Sequence, residues 1–184
     1  VKMKKILLTS TGLTNINIKN KFIELLEKDV TSAKVLFIIT AANDPDAVRI
    51  LSSCLDDLTS CNIPDENITI YDMHKLLTQE EINKYDAIYV CGGSTKHLVE
   101  RCSELEFKPI LHNFINNGGI YLGVSAGSVA CSGKYENGLC LIKNKLDVHC
   151  SSGTINGIIN SEDDIYLTDN QAIYINDIES IIFE

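Results

Sequence analysis

Residues 123–127, with the sequence GVSAG, have the residue types and spacing of a nucleophile elbow. The apolar run GIYL (119–122) precedes them and the small-residue run SVAC (128–131) follows. This pattern predicts a strand, a tight turn and a helix, with Ser125 at the apex. Such a turn holds the serine in a strained backbone conformation and exposes its hydroxyl beyond the sheet. We expect the two glycines because a side chain at either position would collide with a neighbouring strand or helix. The pattern favours hydrolysis or acyl transfer.

A serine hydroxyl is a poor nucleophile until a base removes its proton, so the four histidines are the next candidates. His149 follows the elbow in a strand-like segment, and the order serine then histidine is usual in α/β hydrolases. We therefore predict that His149 is the base, against the alternative of a histidine without a role. His74, His97 and His112 lie in or near predicted helices and are interpreted as ordinary surface or capping residues.

The third member of a triad would be an acidic residue that orients the histidine. Between Ser125 and His149 the chain has only two, Glu136 and Asp147. Asp147 lies two residues before His149, which makes a good hydrogen bond to Nδ1 awkward. Glu136 lies in a predicted loop after the elbow helix and is preferred. The alternative, that Glu136 is a solvated loop carboxylate, stays open.

Acyl transfer also needs hydrogen-bond donors for the oxyanion. The residue after the nucleophile supplies one, the backbone N–H of Ala126. A second must come from another loop at the same edge of the sheet, and Gly92 and Gly93 follow the predicted strand 86–91. The alternative is a turn that leads into a helix without any chemistry. No dinucleotide or phosphate-loop pattern surrounds this diglycine.

The first 130 residues alternate strand-like and helix-like segments, which predicts a mostly parallel sheet with helices on both faces. Sites in such sheets form at the carboxyl ends of the strands, where the diglycine and the elbow both lie. The predicted strands are 5–9, 34–40, 67–71, 86–91 and 119–122.

After about residue 137 short β-like runs lie between turn residues, which predicts a small antiparallel β extension at the C-terminus. Residues 169–170 and 176–177 are interpreted as hairpin turns. With no linker in the pattern, residues 1–184 are expected to form a single domain. The short runs are 139–142, 155–159, 165–167, 172–175 and 178–183.

Composition narrows the function classes. The net charge of -9 argues against nucleic acid and anionic membranes as partners, since both are polyanions. The seven cysteines contain no C-x-x-C pair, and no apolar window is long enough for a signal peptide or a membrane span. We therefore expect free thiols in the cytoplasm, with no structural metal and no cofactor.

Several segments taken together resemble peptidase family S51, which includes the aspartyl dipeptidases (peptidase E) and the cyanophycinases. They are YVCGGST (89–95), GGIYLGVSAGS (118–128), DVH (147–149) and the closing YLTDNQA (166–172). The resemblance implies a flavodoxin-like fold similar to class I glutamine amidotransferases, whose elbow carries cysteine in place of Ser125.

By the same resemblance Ser125 is the nucleophile, His149 the base, and Gly92, Gly93 and Ala126 form the oxyanion hole. Aspartyl dipeptidases have a longer segment between serine and histidine with a catalytic aspartate inside it, and no aspartate here matches.

Those enzymes also use a downstream basic residue to bind the substrate's aspartate, whereas this chain has no lysine or arginine after Lys145. A preference for N-terminal aspartate is therefore not expected. The leading hypothesis is a serine peptidase that hydrolyses short peptides. The alternatives are a non-catalytic or regulatory relative, and an esterase or amidase acting on a non-peptide acyl compound. A homodimer is left open.

Overall fold

A computed structural model describes residues 2–184. The helices in this range are α1 (Ile16–Leu26), α2 (Pro45–Thr59), α3 (Gln79–Ile82), α4 (Thr95–Glu104), α5 (Phe107–Asn116) and α6 (Ala126–Val129). The strands are β1 (Lys5–Thr9), β2 (Val35–Ile38), β3 (Ile68–Tyr71), β4 (Ala87–Val90), β5 (Ile120–Val124), β6 (Leu146–Asp147), β7 (Gly157–Ile159), β8 (Ile165–Tyr166), β9 (Ala172–Ile175) and β10 (Ser180–Phe183).

The main sheet has eight strands in the order β3-β2-β4-β5-β1-β9-β10-β7. Strands β1 to β5 are parallel, so their carboxyl ends meet at one edge. β9 pairs antiparallel with β1, and β10 and β7 continue the sheet beyond it. The predicted α/β class is confirmed, and the predicted β extension is a continuation of the same sheet.

Helices cover both faces of this sheet, as the alternating pattern predicts. One face packs against α1 and α2 through side chains such as Phe22 and Leu58. The other packs against α4 and α5 through side chains such as Leu98 and Phe114. The central strands are buried on both sides, which explains their near-continuous apolar sequences.

Helix caps set several of these boundaries. Asp44 accepts a hydrogen bond from the Ala47 N–H at the start of α2, and Pro45 occupies the first helical position. The capping box of Thr78 and Glu81 at α3 is also present. α1 begins at Ile16 because the Asn15 side chain caps it, accepting hydrogen bonds from the N–H groups of Asn17 and Ile18.

The prediction of a strand at residues 139–142 is wrong. The Leu139 N–H donates to the Ala130 carbonyl, and the Leu141 N–H donates to the Cys131 carbonyl. The segment therefore wraps around the C-terminal end of α6, and only a single bridge joins Ser132 to Ile142. Its apolar residues fill the core without forming a strand.

Two short strands stand outside the main sheet and position the site. β6 and β8 pair in parallel, with Leu146 opposite Ile165.

The turn at 176–177 joins the antiparallel pair β9 and β10, as predicted. The turn at 169–170 is not a hairpin, because β8 before it and β9 after it pair with different strands. No helix within residues 2–184 has the length and apolar character to cross a membrane.

Candidate active site

The elbow forms where the sequence places it. β5 ends at Val124, α6 begins at Ala126, and Ser125 between them has φ 53° and ψ −112°. A non-glycine residue in this region is strained, as expected for a nucleophile at a sharp turn. The Ser125 N–H donates to the Thr9 carbonyl at 3.0 Å, which fixes the turn against β1.

The two elbow glycines are required by close backbone approach. A Cβ added at Gly123 would lie 2.7 Å from the Gly127 carbonyl oxygen, and one at Gly127 would lie 2.3 Å from the Val90 carbonyl oxygen. Real Cβ atoms do not approach backbone this closely, so either substitution would push α6 away from the sheet. The collisions expected from the sequence are confirmed.

A buried serine further fixes this turn. Ser128, fully buried, donates from Oγ to the Thr9 carbonyl at 2.7 Å and accepts from the Thr9 N–H at 3.0 Å. The Thr9 hydroxyl in turn donates to the Gly123 carbonyl at 2.8 Å. The nucleophile's backbone is therefore held by contacts inside the core.

His149 lies beside Ser125. Its Nε2 is 3.0 Å from Ser125 Oγ, within hydrogen-bond distance. The residue has φ 54°, and its backbone N–H donates to Ser10 Oγ at 3.1 Å, at the end of β1. The Ser10 hydroxyl donates to the Leu167 carbonyl at 3.2 Å. The structure thus brings together the two residues that the sequence selects.

The carboxylate beside His149 is Asp169, which the sequence reasoning missed. Its Oδ1 is 2.6 Å from His149 Nδ1. A neutral imidazole with its proton on Nδ1 can donate to Asp169 while Nε2 accepts from Ser125. The arrangement has the connectivity of a serine, histidine and aspartate triad.

Neither acidic residue considered from the sequence contacts the histidine. Glu136 is exposed and lines a separate surface depression beside α4, with Lys96 and Tyr135. Asp147 lies in β6 and pairs with Lys145 at 3.6 Å. The preference for Glu136 as the histidine's partner is therefore corrected, since Glu136 lies in that separate depression and Asp169 occupies the place beside His149 Nδ1.

The parallel pair β6 and β8 explains why Asp169 lies next to His149. His149 follows the end of β6 by two residues, and Asp169 follows the end of β8 by three. Parallel neighbours end at the same edge, so their following residues leave side by side.

Hydrogen bonds hold the second of these segments. The Thr11 hydroxyl donates to the Asp169 carbonyl at 2.8 Å. The buried Gln171 side chain accepts from the Thr168 N–H and donates to the Thr154 carbonyl and Asn156 Oδ1.

A signal for Asp169 was present in the sequence. It lies in the segment 166–172, one of those that carry the family resemblance, but its Asp-Asn pair also reads as a turn. Glu136 and Asp147 are the only acidic residues between Ser125 and His149. The contacts in the structure follow the order Ser125, His149, Asp169, so the carboxylate beside the histidine lies beyond that interval.

The diglycine lies against the elbow. A Cβ on Gly92 would be 3.0 Å from Ser125 Cβ, and one on Gly93, with φ 136°, would be 2.0 Å from the Ala41 carbonyl oxygen. In the described part of the chain, the backbone N–H groups of Gly92, Gly93 and Ala126 have no hydrogen-bond acceptor. Free N–H groups beside the nucleophile are what an oxyanion hole requires.

A cavity of about 860 Å³ opens at Ser125 and runs beneath the N-terminal half of α2. Ser125, His149, Gly92 and Gly93 all line it, so the cavity gives a small molecule access to the Ser125 hydroxyl. Its size is within the usual range for small-molecule sites. The remaining lining residues are Ser10, Thr11, Thr14, Asp44, Pro45, Asp46, Ala47, Arg49, Ile50, Leu51, Ser53, Cys54, Asp57, Cys91 and Val124.

Two solved structures share this fold over most of their length. A protein from Listeria monocytogenes EGD-e, provisionally named a peptidase E, superposes with a TM-score of 0.78 at 20% identity. The match covers 99% of this chain and 98% of that one. A peptidase from an acI-B1 Actinobacterium superposes with a TM-score of 0.64 at 14% identity, over 95% of this chain and 85% of that one.

The family comparison gives the same result from the sequence. No curated protein matches the chain. The model of peptidase family S51 matches residues 6–139, which include the diglycine and the elbow, while His149 and Asp169 lie beyond the match. This range covers most of the chain, and the chain therefore belongs to peptidase family S51.

Proposed function

We propose that this protein is a serine peptidase that hydrolyses short peptides through an acyl-enzyme on Ser125. The observation that carries the proposal is the continuous set of contacts from Ser125 Oγ to His149 at 3.0 Å and from His149 to Asp169 at 2.6 Å. Membership of a peptidase family supports a hydrolase that acts on peptide bonds. The names of the two structural neighbours agree with this substrate class.

The mechanism follows from the positions of these atoms. His149 Nε2 takes the proton from Ser125 Oγ as the oxygen attacks the scissile carbonyl. The resulting oxyanion accepts hydrogen bonds from the N–H of Ala126 and from the diglycine. The imidazolium then donates its proton to the leaving amine, and the acyl-enzyme remains. Water, activated by the same histidine, releases the acid and restores Ser125.

Asp169 orients the ring in this scheme. A carboxylate on Nδ1 holds the imidazole in the tautomer that leaves Nε2 free to accept a proton, and it stabilises the imidazolium. Without it, the ring could rotate or present the wrong nitrogen to Ser125.

The substrate is proposed to be a small peptide, because the cavity at Ser125 is of small-molecule size. The chain uses no cofactor in this scheme, since every proton transfer is assigned to a side chain. The cytoplasmic location and the homodimer stay predictions.

The test is hydrolysis of a dipeptide library by wild-type protein and Ser125→Ala. We expect the wild type to cleave a subset, and the variant to be slower by about 10⁴-fold or more. Equal turnover by the two proteins would contradict the proposal. Cleavage of esters or non-peptide amides alone would assign the same machinery to a different acyl substrate. No cleavage of any acyl compound would favour a non-catalytic relative.

A further inference from the structure

The N-terminal half of α2 does not pack against the sheet as its sequence suggests. Val48 and Ile50 are 52% and 59% exposed, whereas Cys54 and Leu58, further along the helix, are buried. The cavity described above fills the space under the first half. Four apolar residues of α2 line the cavity: Ala47, Ile50, Leu51 and Cys54. Leu51 and Cys54 also pack against the core.

The opposite wall leads from the nucleophile toward the helix. Ser125 adjoins Gly92, and Cys91 precedes Gly92 at the end of β4. The neighbouring Cys54 thiol and burial raise the pKa of Cys91. Cys91 is therefore a neutral group in the wall of the cavity. This wall is largely apolar as far as the turn of α2 that carries Asp57.

At that turn lies Asp57, a carboxyl group nine-tenths buried at the cavity wall. Its Oδ2 accepts hydrogen bonds from the Leu13 N–H at 3.0 Å and from the Tyr89 hydroxyl at 2.8 Å. Its Oδ1 has no hydrogen bond within residues 2–184. Every fully buried side-chain nitrogen or oxygen of the described residues has a partner, so Oδ1 is not sealed in the core. We take this oxygen to open onto the cavity that Asp57 lines.

A carboxylate in this position lacks a close cation. Burial raises the pKa of Asp57, and the hydrogen bonds from Leu13 and Tyr89 oppose that effect. Lys19 also lowers it, but among residues 2–184 no basic group lies within 4.0 Å of the Asp57 oxygens. A buried carboxylate is most stable when a cation pairs with it, and a ligand could supply one.

The charges at the rim of the cavity also favour a cationic ligand. Asp44 and Asp46 line it, and Arg49 lies beside them. Arg49 is largely exposed and already donates to Asp46 at 2.8 Å. An acidic substrate side chain would meet three carboxyl groups here, whereas a basic one would be attracted.

Resting on the proposed function, we propose that this cavity receives the side chain of the acyl-side residue, and that Asp57 selects lysine or arginine there. The apolar walls suit the methylene groups of a long basic side chain, and Asp57 Oδ1 accepts a hydrogen bond from its charged end. A carboxylate at the base of a specificity pocket is a known way for a serine peptidase to select basic residues.

The first test compares three substrates that differ only in the acyl-side residue: lysyl, norleucyl and aspartyl amides with one fluorogenic leaving group. Norleucine has nearly the length of lysine without the charge. We expect kcat/KM for the lysyl amide to exceed that for the norleucyl amide by about 10²-fold, and the aspartyl amide to be slowest.

Asp57→Asn keeps an acceptor for Leu13 and Tyr89 but removes the charge, so the lysyl-to-norleucyl ratio should fall to about one. Asp56→Asn, at the exposed neighbouring position, is the matched control and should keep the wild-type ratio. A wild type that prefers the aspartyl amide, or a ratio unchanged in Asp57→Asn, would overturn the inference.

The second test needs no variant and decides the matter if Asp57→Asn does not fold. A fluorophosphonate probe modifies Ser125 in the wild type, and 1-aminobutane competes with it by occupying the pocket. We expect 1-aminobutane to slow labelling at concentrations where 1-butanol does not, about tenfold or more apart. Equal effects of the two would overturn the pocket assignment alone. Failure of the probe and of all three amides to react would overturn the proposed function together with this inference.

Discussion

Ser125 and His149, the proposed nucleophile and base, are held in different ways. The nucleophile segment, residues 120–130, is almost entirely buried, and its turn is fixed by close backbone packing and by Ser128. The histidine segments, residues 145–150 and 165–171, follow a two-residue strand pair, and His149 and Asp169 are both exposed. Their geometry depends on individual hydrogen bonds to Ser10, Thr11 and Gln171.

This difference separates stability from activity. The elbow cannot be altered without disturbing the core, because its glycines and Ser128 touch β1 and β4. The histidine segments are anchored at the surface, where few buried contacts oppose local motion. Changes in the nucleophile segment, other than at Ser125 itself, should therefore lower stability first, and changes in the histidine segments should lower activity first.

The largest expected effect in the histidine segments comes from Asp169→Asn. The amide cannot hold the Nδ1–H tautomer as a carboxylate does, so kcat/KM for a cleaved dipeptide should fall by about 10²- to 10⁴-fold. The melting temperature should change little, because the Asp169 side chain is exposed. Steady-state kinetics and thermal unfolding measure the two effects separately.

The matched control for that change is Glu136→Gln, which also replaces a carboxylate by its amide. Glu136 lies in a different depression, so activity should stay within about twofold of the wild type. An equal loss of activity in both variants would show that the contact between His149 and Asp169 has no special role.

A smaller effect is expected from Gln171→Ala. This buried side chain makes three hydrogen bonds that fix the turn before β9, so its loss should let Asp169 move and lower kcat/KM by about tenfold. The unsatisfied groups should also cost about 1–3 kcal/mol of local stability. Asn170→Ala on the same turn is the control, and if it lost as much activity, Gln171 would not be an anchor.

Ser128→Ala tests the prediction for the nucleophile segment, where changes should lower stability. Loss of two buried hydrogen bonds to Thr9 should cost about 1–3 kcal/mol and lower the melting temperature by several degrees, at roughly 2–4 °C per kcal/mol. The activity of the folded protein should stay within about threefold. Ser103→Ala, an exposed serine on α4, should leave the melting temperature unchanged. If Ser128→Ala kept full stability but lost activity, the assignment of Ser128 to stability would be contradicted.

The smallest effect concerns the pH dependence of stability near the cavity. Burial raises the pKa of Asp57 above its ordinary 3.8, so the folded state binds this proton more tightly than the unfolded state does. The group's contribution to stability is therefore lost as the pH rises above about 3.8. We therefore compare the melting temperatures of Asp57→Asn and the wild type. The value for the variant minus that for the wild type should increase between about pH 3.5 and 7, the range in which a carboxyl group with a raised pKa loses its proton. A difference that stays constant or falls would contradict this.

The parts of the site that follow from local pattern could be predicted. The elbow needs only a strand, two glycines and a serine in sequence, and the parallel sheet brings the diglycine to the same edge. Asp169 could not be placed that way, since its position 20 residues beyond His149 depends on the pairing of β6 with β8. No local periodicity encodes the pairing of two two-residue strands.

The fold shows the same limit. The buried strands and capped helices of the first 130 residues agree with their patterns, because each carries its own signals. Residues 139–142 have the composition of a strand, but the end of α6 captures their N–H groups. The cavity also depends on how α2 packs, since its Val48 fits an apolar helical face and yet is half exposed.

The rate at which a fluorophosphonate probe modifies Ser125 tests the central claim most directly, because it needs no knowledge of the substrate. Intact mass and peptide mapping would follow one adduct in wild type, Asp169→Asn and Glu136→Gln. We predict modification at Ser125, slowed by about 10²-fold in Asp169→Asn and unchanged in Glu136→Gln. Equal rates in wild type and Asp169→Asn, or an adduct at another residue, would contradict a Ser125, His149 and Asp169 triad.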